Sequence, residues 1–141
     1  MPRFVFGLNA CESSVRGILN FLAGKKMIAP RLRRAKVDVY FLPNSELRRL
    51  KKKYLKKDAK LVDVLSFPEK QDFPGPGNKK IFLGEILINK DIAGHFPVRA
   101  RYLLLHGLLH LLGYDHVRKG DNIKMQKAER LILANMGWRE E

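Results

Sequence analysis

Apolar positions recur along the chain in two rhythms, and the alternation between them predicts its elements. Val15, Ile18, Leu19 and Leu22 fall on one stripe at helical spacing, with Glu12, Ser13 and Ser14 as N-terminal caps and Gly24 as a stop. Ahead of them Phe4-Val5-Phe6 reads as a short strand before the turn formers Gly7 and Asn9. Val37-Asp38-Val39-Tyr40-Phe41-Leu42, Val62-Asp63-Val64-Leu65-Ser66-Phe67 and Ile81-Phe82-Leu83-Gly84-Glu85-Ile86-Leu87-Ile88 read as strands. The last is apolar except at Gly84 and Glu85, as a central strand would be. Pro43, Asn44 and Ser45 break the first of these and cap a helix with Leu47, Leu50 and Tyr54 on its inner face. Residues 69–80 form a loop, residues 91–96 a short turn, and Pro97 opens a long apolar helix that runs to about Leu112. A last helix starts near Asp121 or Asn122, is lined by Met125, Ala128, Leu131 or Ile132, and Met136, and closes at Gly137. The expected fold is α+β, a single domain over residues 1–141. Its sheet is mixed with roughly four strands, and the long apolar helix packs over it.

That helix carries the candidate chemistry. His106 and His110 are four residues apart, so their rings project from one face about one turn apart. Gly113 offers a left-handed cap, after which the chain turns back and carries His116 toward the same point. One histidine in an apolar helix is ordinarily a satisfied core residue. Two unpartnered imidazoles there would cost on the order of 1 to 3 kcal/mol each, and a shared ion partners both. Three nitrogen ligands with a fourth position left to water is the arrangement of catalytic zinc, and Ni²⁺ or Co²⁺ accept the same ligands. Met125 and Met136 are explained by core packing alone.

Charge narrows the partners. Twenty-eight Lys and Arg stand against 14 Asp and Glu, a net +14 that repels itself unless a polyanion is a working partner. A heat-adapted surface would balance its lysines with glutamates. An anionic membrane surface would call for a clean apolar face beside an aromatic-anchored basic one, which no stretch supplies. Nucleic acid is favoured. The second helix gathers Arg48, Arg49, Lys51, Lys52, Lys53, Lys56 and Lys57 without alternating sign. Arg49, Lys52, Lys53 and Lys56 are therefore candidates for RNA phosphates. A single Cys11, an amino terminus unlike a secretion signal and no apolar run of roughly 20 residues point to a soluble protein of the reducing cytoplasm, with no membrane contact.

In the zinc peptidase pattern H-E-x-x-H a glutamate follows the first histidine as general base. Gly107 holds that position here, which counts against peptide hydrolysis by that route. Phosphodiester cleavage in RNA, where charge stabilisation matters more than a strong external base, is the favoured reaction.

The run His106-Gly107-Leu108-Leu109-His110-Leu111-Leu112-Gly113-Tyr114-Asp115-His116 resembles the signature of the YbeY family, bacterial metal-dependent endoribonucleases also called rRNA maturation factors. Asp63-Val64-Leu65-Ser66-Phe67-Pro68, Leu83-Gly84-Glu85-Ile86-Leu87-Ile88 and the tail from Met125 through Glu129 to Leu133 add matches in family order across most of the chain. The resemblance implies an α+β fold, a zinc ion on His106, His110 and His116, and single-strand-specific cleavage. It also implies a role in maturing the 3′ end of 16S rRNA and in ribosome quality control, with ribosomal RNA and the small ribosomal subunit or its proteins as partners. Three departures stand out. Lys56 falls where the family carries an arginine, keeping the charge but losing the planar fork. Glu85 stands for the commoner Asp, and Val62 for the usual Thr.

Lys56, Ser66 and Asp115 are the catalytic candidates. Ser66 either binds substrate or metal-bound water or is an ordinary strand serine. Asp115 either orients a ligand or carries a proton, or it caps a turn. His95 is placed on the surface or in a loop. Three functions remain open at this stage: an endoribonuclease acting on ribosomal RNA, a ribosome-assembly or RNA-binding factor with a mainly structural metal, and a metallohydrolase of another substrate such as a peptide.

Overall fold

A computed structural model of the chain describes residues 8–69, 81–95, 97–114 and 119–138. The expected strand at residues 4–6, the loop at 70–80, Asp115 and His116 lie outside them.

The chain runs α1 (Leu8–Gly24), a 3-10 turn (Pro30–Arg34), β1 (Lys36–Leu42), α2 (Asn44–Leu55), β2 (Val64–Pro68), β3 (Phe82–Asn89), α3 (Lys90–His95), α4 (Pro97–Leu111) and α5 (Lys119–Met136). The three strands form one mixed sheet in the order β1-β3-β2, with β3 central, parallel to β1 and antiparallel to β2. This is the expected α+β architecture, with three strands among the described residues. No helix among these residues is long and apolar enough to cross a membrane.

The two sheet faces are unequally covered. Val39, Phe41, Leu83, Ile86 and Ile88 turn to one face and meet α1, α4 and α5 in the main core, through Ile18, Leu19, Leu22, Leu105, Leu108, Leu109, Met125 and Ile132. Leu42, Leu65 and Leu87 turn to the other and meet Leu47 of α2 and Val62 in a smaller cluster, with half-buried Leu50, Ala59 and Phe67 packed against it. A register shift of one residue in β3, between the partners of Lys36 and Val37, sets Leu83 on the same face as Ile86 although three positions separate them. Gly84 makes that bulge possible: its φ is +139°, and a Cβ there would lie 2.2 Å from the Phe67 carbonyl oxygen.

Several expectations shift. α1 begins at Leu8 rather than at the 12–14 caps, because half-buried Cys11 extends the inner stripe back one turn from Val15 and overrides the turn signal at Asn9. Burial also pushes the Cys11 thiol up from its ordinary pKa. α1 does end at Gly24, but the left-handed residue that closes it is Lys26, φ +59°. Asn44 does not cap α2. Its side-chain oxygen accepts from the Val62 N–H at 2.8 Å and its amide donates to the Lys60 carbonyl at 2.8 Å, so it ties α2 to the segment leading into β2. Residues 90–95 are helical rather than a turn because Asn89 Oδ1 accepts the N–H groups of Asp91 and Ile92. The amide of Asn89, whose side chain sits in a residue only 1% exposed, also donates to the Val62 carbonyl at 3.1 Å. Tyr54, expected inside, is 58% exposed and meets the Phe67 ring edge-on.

Candidate metal centre and basic surface

α4 is apolar on most of its circumference because it is wedged between the sheet and the other helices, with Leu103, Leu104, Leu105, Leu108, Leu109 and Leu111 all buried. His106 and His110 occupy the stripe that the core leaves half open. Their Nε2 atoms lie 3.1 Å apart, with ring centroids at 4.7 Å. The other nitrogen of His106, Nδ1, is 3.3 Å from Glu129 Oε1, and the Tyr102 hydroxyl donates to Glu129 Oε2 at 2.9 Å. Glu129 belongs to α5 and is 8% exposed.

A tetrahedral zinc with nitrogen ligands at ~2.0–2.1 Å separates those nitrogens by about 3.3–3.4 Å. The His106–His110 spacing and its donor chemistry therefore fit two ligands of one ion. Among the described residues no three His, Cys, Asp or Glu side chains form a metal-holding group. A centre with three protein ligands needs a donor from outside them, where His116 lies. The turn that leads there is described. Gly113 adopts φ +99°, its N–H bonds the His110 carbonyl at 3.0 Å, and the Tyr114 N–H bonds the Leu109 carbonyl at 3.0 Å. That is the left-handed glycine closure expected from the sequence, and it reverses the chain after α4.

Gly107 explains the missing glutamate. A Cβ at that position would meet Ile86 Cγ2 at 2.7 Å and Ser66 Oγ at 3.0 Å. The residue after the first histidine faces the sheet at closest approach, so no longer side chain fits there. Ser66, a candidate for catalysis, donates its hydroxyl to the Gly107 carbonyl at 3.1 Å and so helps seat α4 on β2.

The basic helix lies elsewhere. α2 covers the opposite sheet face from α4, so the sheet lies between the histidine pair and the lysine cluster, and the edge strand β2 contacts both helices. Tyr54 touches Phe67 there, one residue from Ser66, with its ring centroid 5.7 Å from that of Phe67. Two of the cations are already engaged. Arg48 forms a forked pair with Asp58 at 2.8 and 3.1 Å, and Arg49 pairs with Glu46. These bonds hold the Asp58 and Glu46 carboxyls below their usual range. Lys52, Lys53, Lys56 and Lys57 are exposed, and Lys53 Nζ stands 5.2 Å from the Tyr54 ring centre. Lys56 ends α2 in the left-handed region at φ 58°.

Sequence reasoning passed over Glu129 and Tyr102 as parts of the site. One signal was available for Glu129: it is an acid on the inner stripe defined by Met125, Ala128 and Ile132.

The model of the family described as Endoribonuclease YbeY matches residues 5–137. The Endoribonuclease YbeY of Aquifex aeolicus is 38% identical over 114 residues, covering 74% of this chain and 73% of that protein. That of Wolbachia is 36% identical over 135 residues, covering 84% of each. A solution structure from Thermotoga maritima aligns with TM-score 0.46 and 22% identity over 92% of this chain and 83% of that one.

Proposed function

Because the chain belongs to the YbeY family, we propose that it is a zinc-dependent, single-strand-specific endoribonuclease that matures the 3′ end of 16S rRNA and serves ribosome quality control, with ribosomal RNA and the small subunit as partners in the cytoplasm. The observation that carries this reading is the pair of imidazole Nε2 atoms 3.1 Å apart, backed by a buried carboxylate on Nδ1 of the first. His106 and His110 would hold the metal together with His116. A zinc ion bound there supplies a Lewis acid that offsets the charge developing on a scissile phosphate.

The chain's own residues do the rest. Lys52, Lys53 and Lys56, with Arg49 when it exchanges Glu46 for a phosphate, bind the RNA backbone along α2. Lysine at position 56 binds a phosphate as a point charge, without the two-pronged geometry of arginine. The exposed Tyr54 ring offers an unpaired base a stacking face around the β2 edge. Ser66 contributes by seating α4, and Asp115 by orienting a ligand or carrying a proton.

One placement favours a second reading. With α2 and the histidines on opposite sheet faces, RNA could be held through α2 by an assembly factor whose metal is structural. Incubating a single-stranded RNA and its duplex with zinc-loaded wild type and His110→Ala separates the two. Cleavage of the single strand by wild type alone, with binding kept in both proteins, supports the nuclease. Binding by both without cleavage by either leaves the assembly factor.

A further inference from the structure

We propose that Glu129 and Tyr102 are positioning residues for His106, holding its imidazole in the Nδ1–H tautomer with the Nε2 lone pair turned toward His110, and that they thereby set the affinity of the centre for its metal. This rests on reading His106 and His110 as ligands. Glu129 is a buried carboxylate whose two oxygens have separate partners, the Tyr102 hydroxyl at 2.9 Å and His106 Nδ1 at 3.3 Å. A carboxylate only accepts, and the tyrosine hydroxyl donates to one oxygen, so Nδ1 is the donor to the other. A neutral imidazole with its proton on Nδ1 leaves Nε2 unprotonated. That is the nitrogen 3.1 Å from His110 Nε2.

Tyr102 and His106 are one turn apart on α4, so a single carboxylate from α5 bridges two successive turns. Its backbone is anchored by the buried Met125, Ala128 and Ile132 on the same face of α5. The ring of His106 is thereby aimed by packing at a distance in sequence, and the carboxylate fixes which of its nitrogens faces His110. A role confined to pinning α5 against α4 would require neither a fixed tautomer nor an effect on metal affinity.

The full-length protein is compared with Glu129→Gln and Tyr102→Phe by zinc competition against a chromophoric chelator, by melting without metal, and by the imidazole ¹⁵N spectrum of the metal-free wild type. The expected results are His106 protonated at Nδ1 and zinc affinity lower by about 10–100-fold in Glu129→Gln, with a smaller loss in Tyr102→Phe. His106 protonated at Nε2 would overturn the proposal. So would a Glu129→Gln protein that melts lower yet binds zinc as wild type does. If wild type takes up no zinc, the nuclease reading and the affinity claim fall together, while the spectrum still decides the tautomer.

Discussion

Replacing Gly107 by alanine tests whether the histidine helix is positioned by contact with the sheet. In an open helix interior this change stabilises by about 1 kcal/mol, because alanine loses less backbone freedom on folding. Here the new methyl would sit 2.7 Å from Ile86 Cγ2, 3.0 Å from Ser66 Oγ and 3.4 Å from Ile86 Cγ1. The first distance is well inside van der Waals contact, and Ile86 is fully buried at the centre of the sheet, so it has little room to give. Overpacking of this kind costs about 1–3 kcal/mol. Because Ile86 cannot give way, the cost lies in the upper part of that range, about 2–3 kcal/mol, and less the propensity gain of about 1 kcal/mol Gly107→Ala is expected to destabilise by roughly 1–2 kcal/mol. In a domain of this size each kcal/mol corresponds to about 3–4 °C in melting temperature. Gly24, the last residue of α1, has nothing within 4 Å of its Cβ position, and Gly24→Ala should instead leave the melting temperature unchanged or raise it. The assay is thermal unfolding of the two variants beside wild type. A Gly107→Ala protein as stable as wild type would refute the idea that close approach selects glycine at that position. If it melts lower and also loses zinc affinity, the approach of α4 to Ser66 and Ile86 is part of what aims His106.

Three further outcomes follow from the geometry. Asn89→Ala strips the Val62 carbonyl of its side-chain donor and α3 of its cap, and should destabilise by about 2–4 kcal/mol, read from urea unfolding; a loss well below that would mean water replaces the amide. Lys56→Gly relieves a left-handed non-glycine residue worth about 1 kcal/mol. It should raise the melting temperature while weakening RNA binding and reducing its salt dependence by about one counterion; unchanged salt dependence would remove Lys56 from the phosphate contacts. Because the Arg48 guanidinium holds the Asp58 carboxyl below its ordinary 3.8, this pair stabilises the fold above that pH and is lost as the pH falls through the lower folded value. The difference in melting temperature between wild type and Asp58→Asn should therefore be small at neutral pH, since the pair is exposed, and should vanish in acid and in high salt. A difference that grows in acid would contradict the assignment.

The sequence alone determined what depends on neighbours a few residues away. The strands at 36–42, 64–68 and 82–89 follow β-branched and aromatic runs. The one-turn spacing of His106 and His110 follows helical geometry, and the reversal at Gly113 follows the freedom of a residue without Cβ. Tertiary structure decided what depends on which surfaces meet. Tyr54 shares a helical stripe with Leu47 and Leu50, yet α2 meets the smaller cluster through those two leucines and its last turn leaves the ring 58% exposed. Gly107 could be read only as a missing base until the sheet beneath it was in place. Glu129 meets His106 across 23 positions of chain because two helices pack with their inner stripes together, a relation that no local period encodes. Hydrophobic periodicity says which face of a helix goes inside. Only the packed core says which buried carboxylate arrives beside which imidazole.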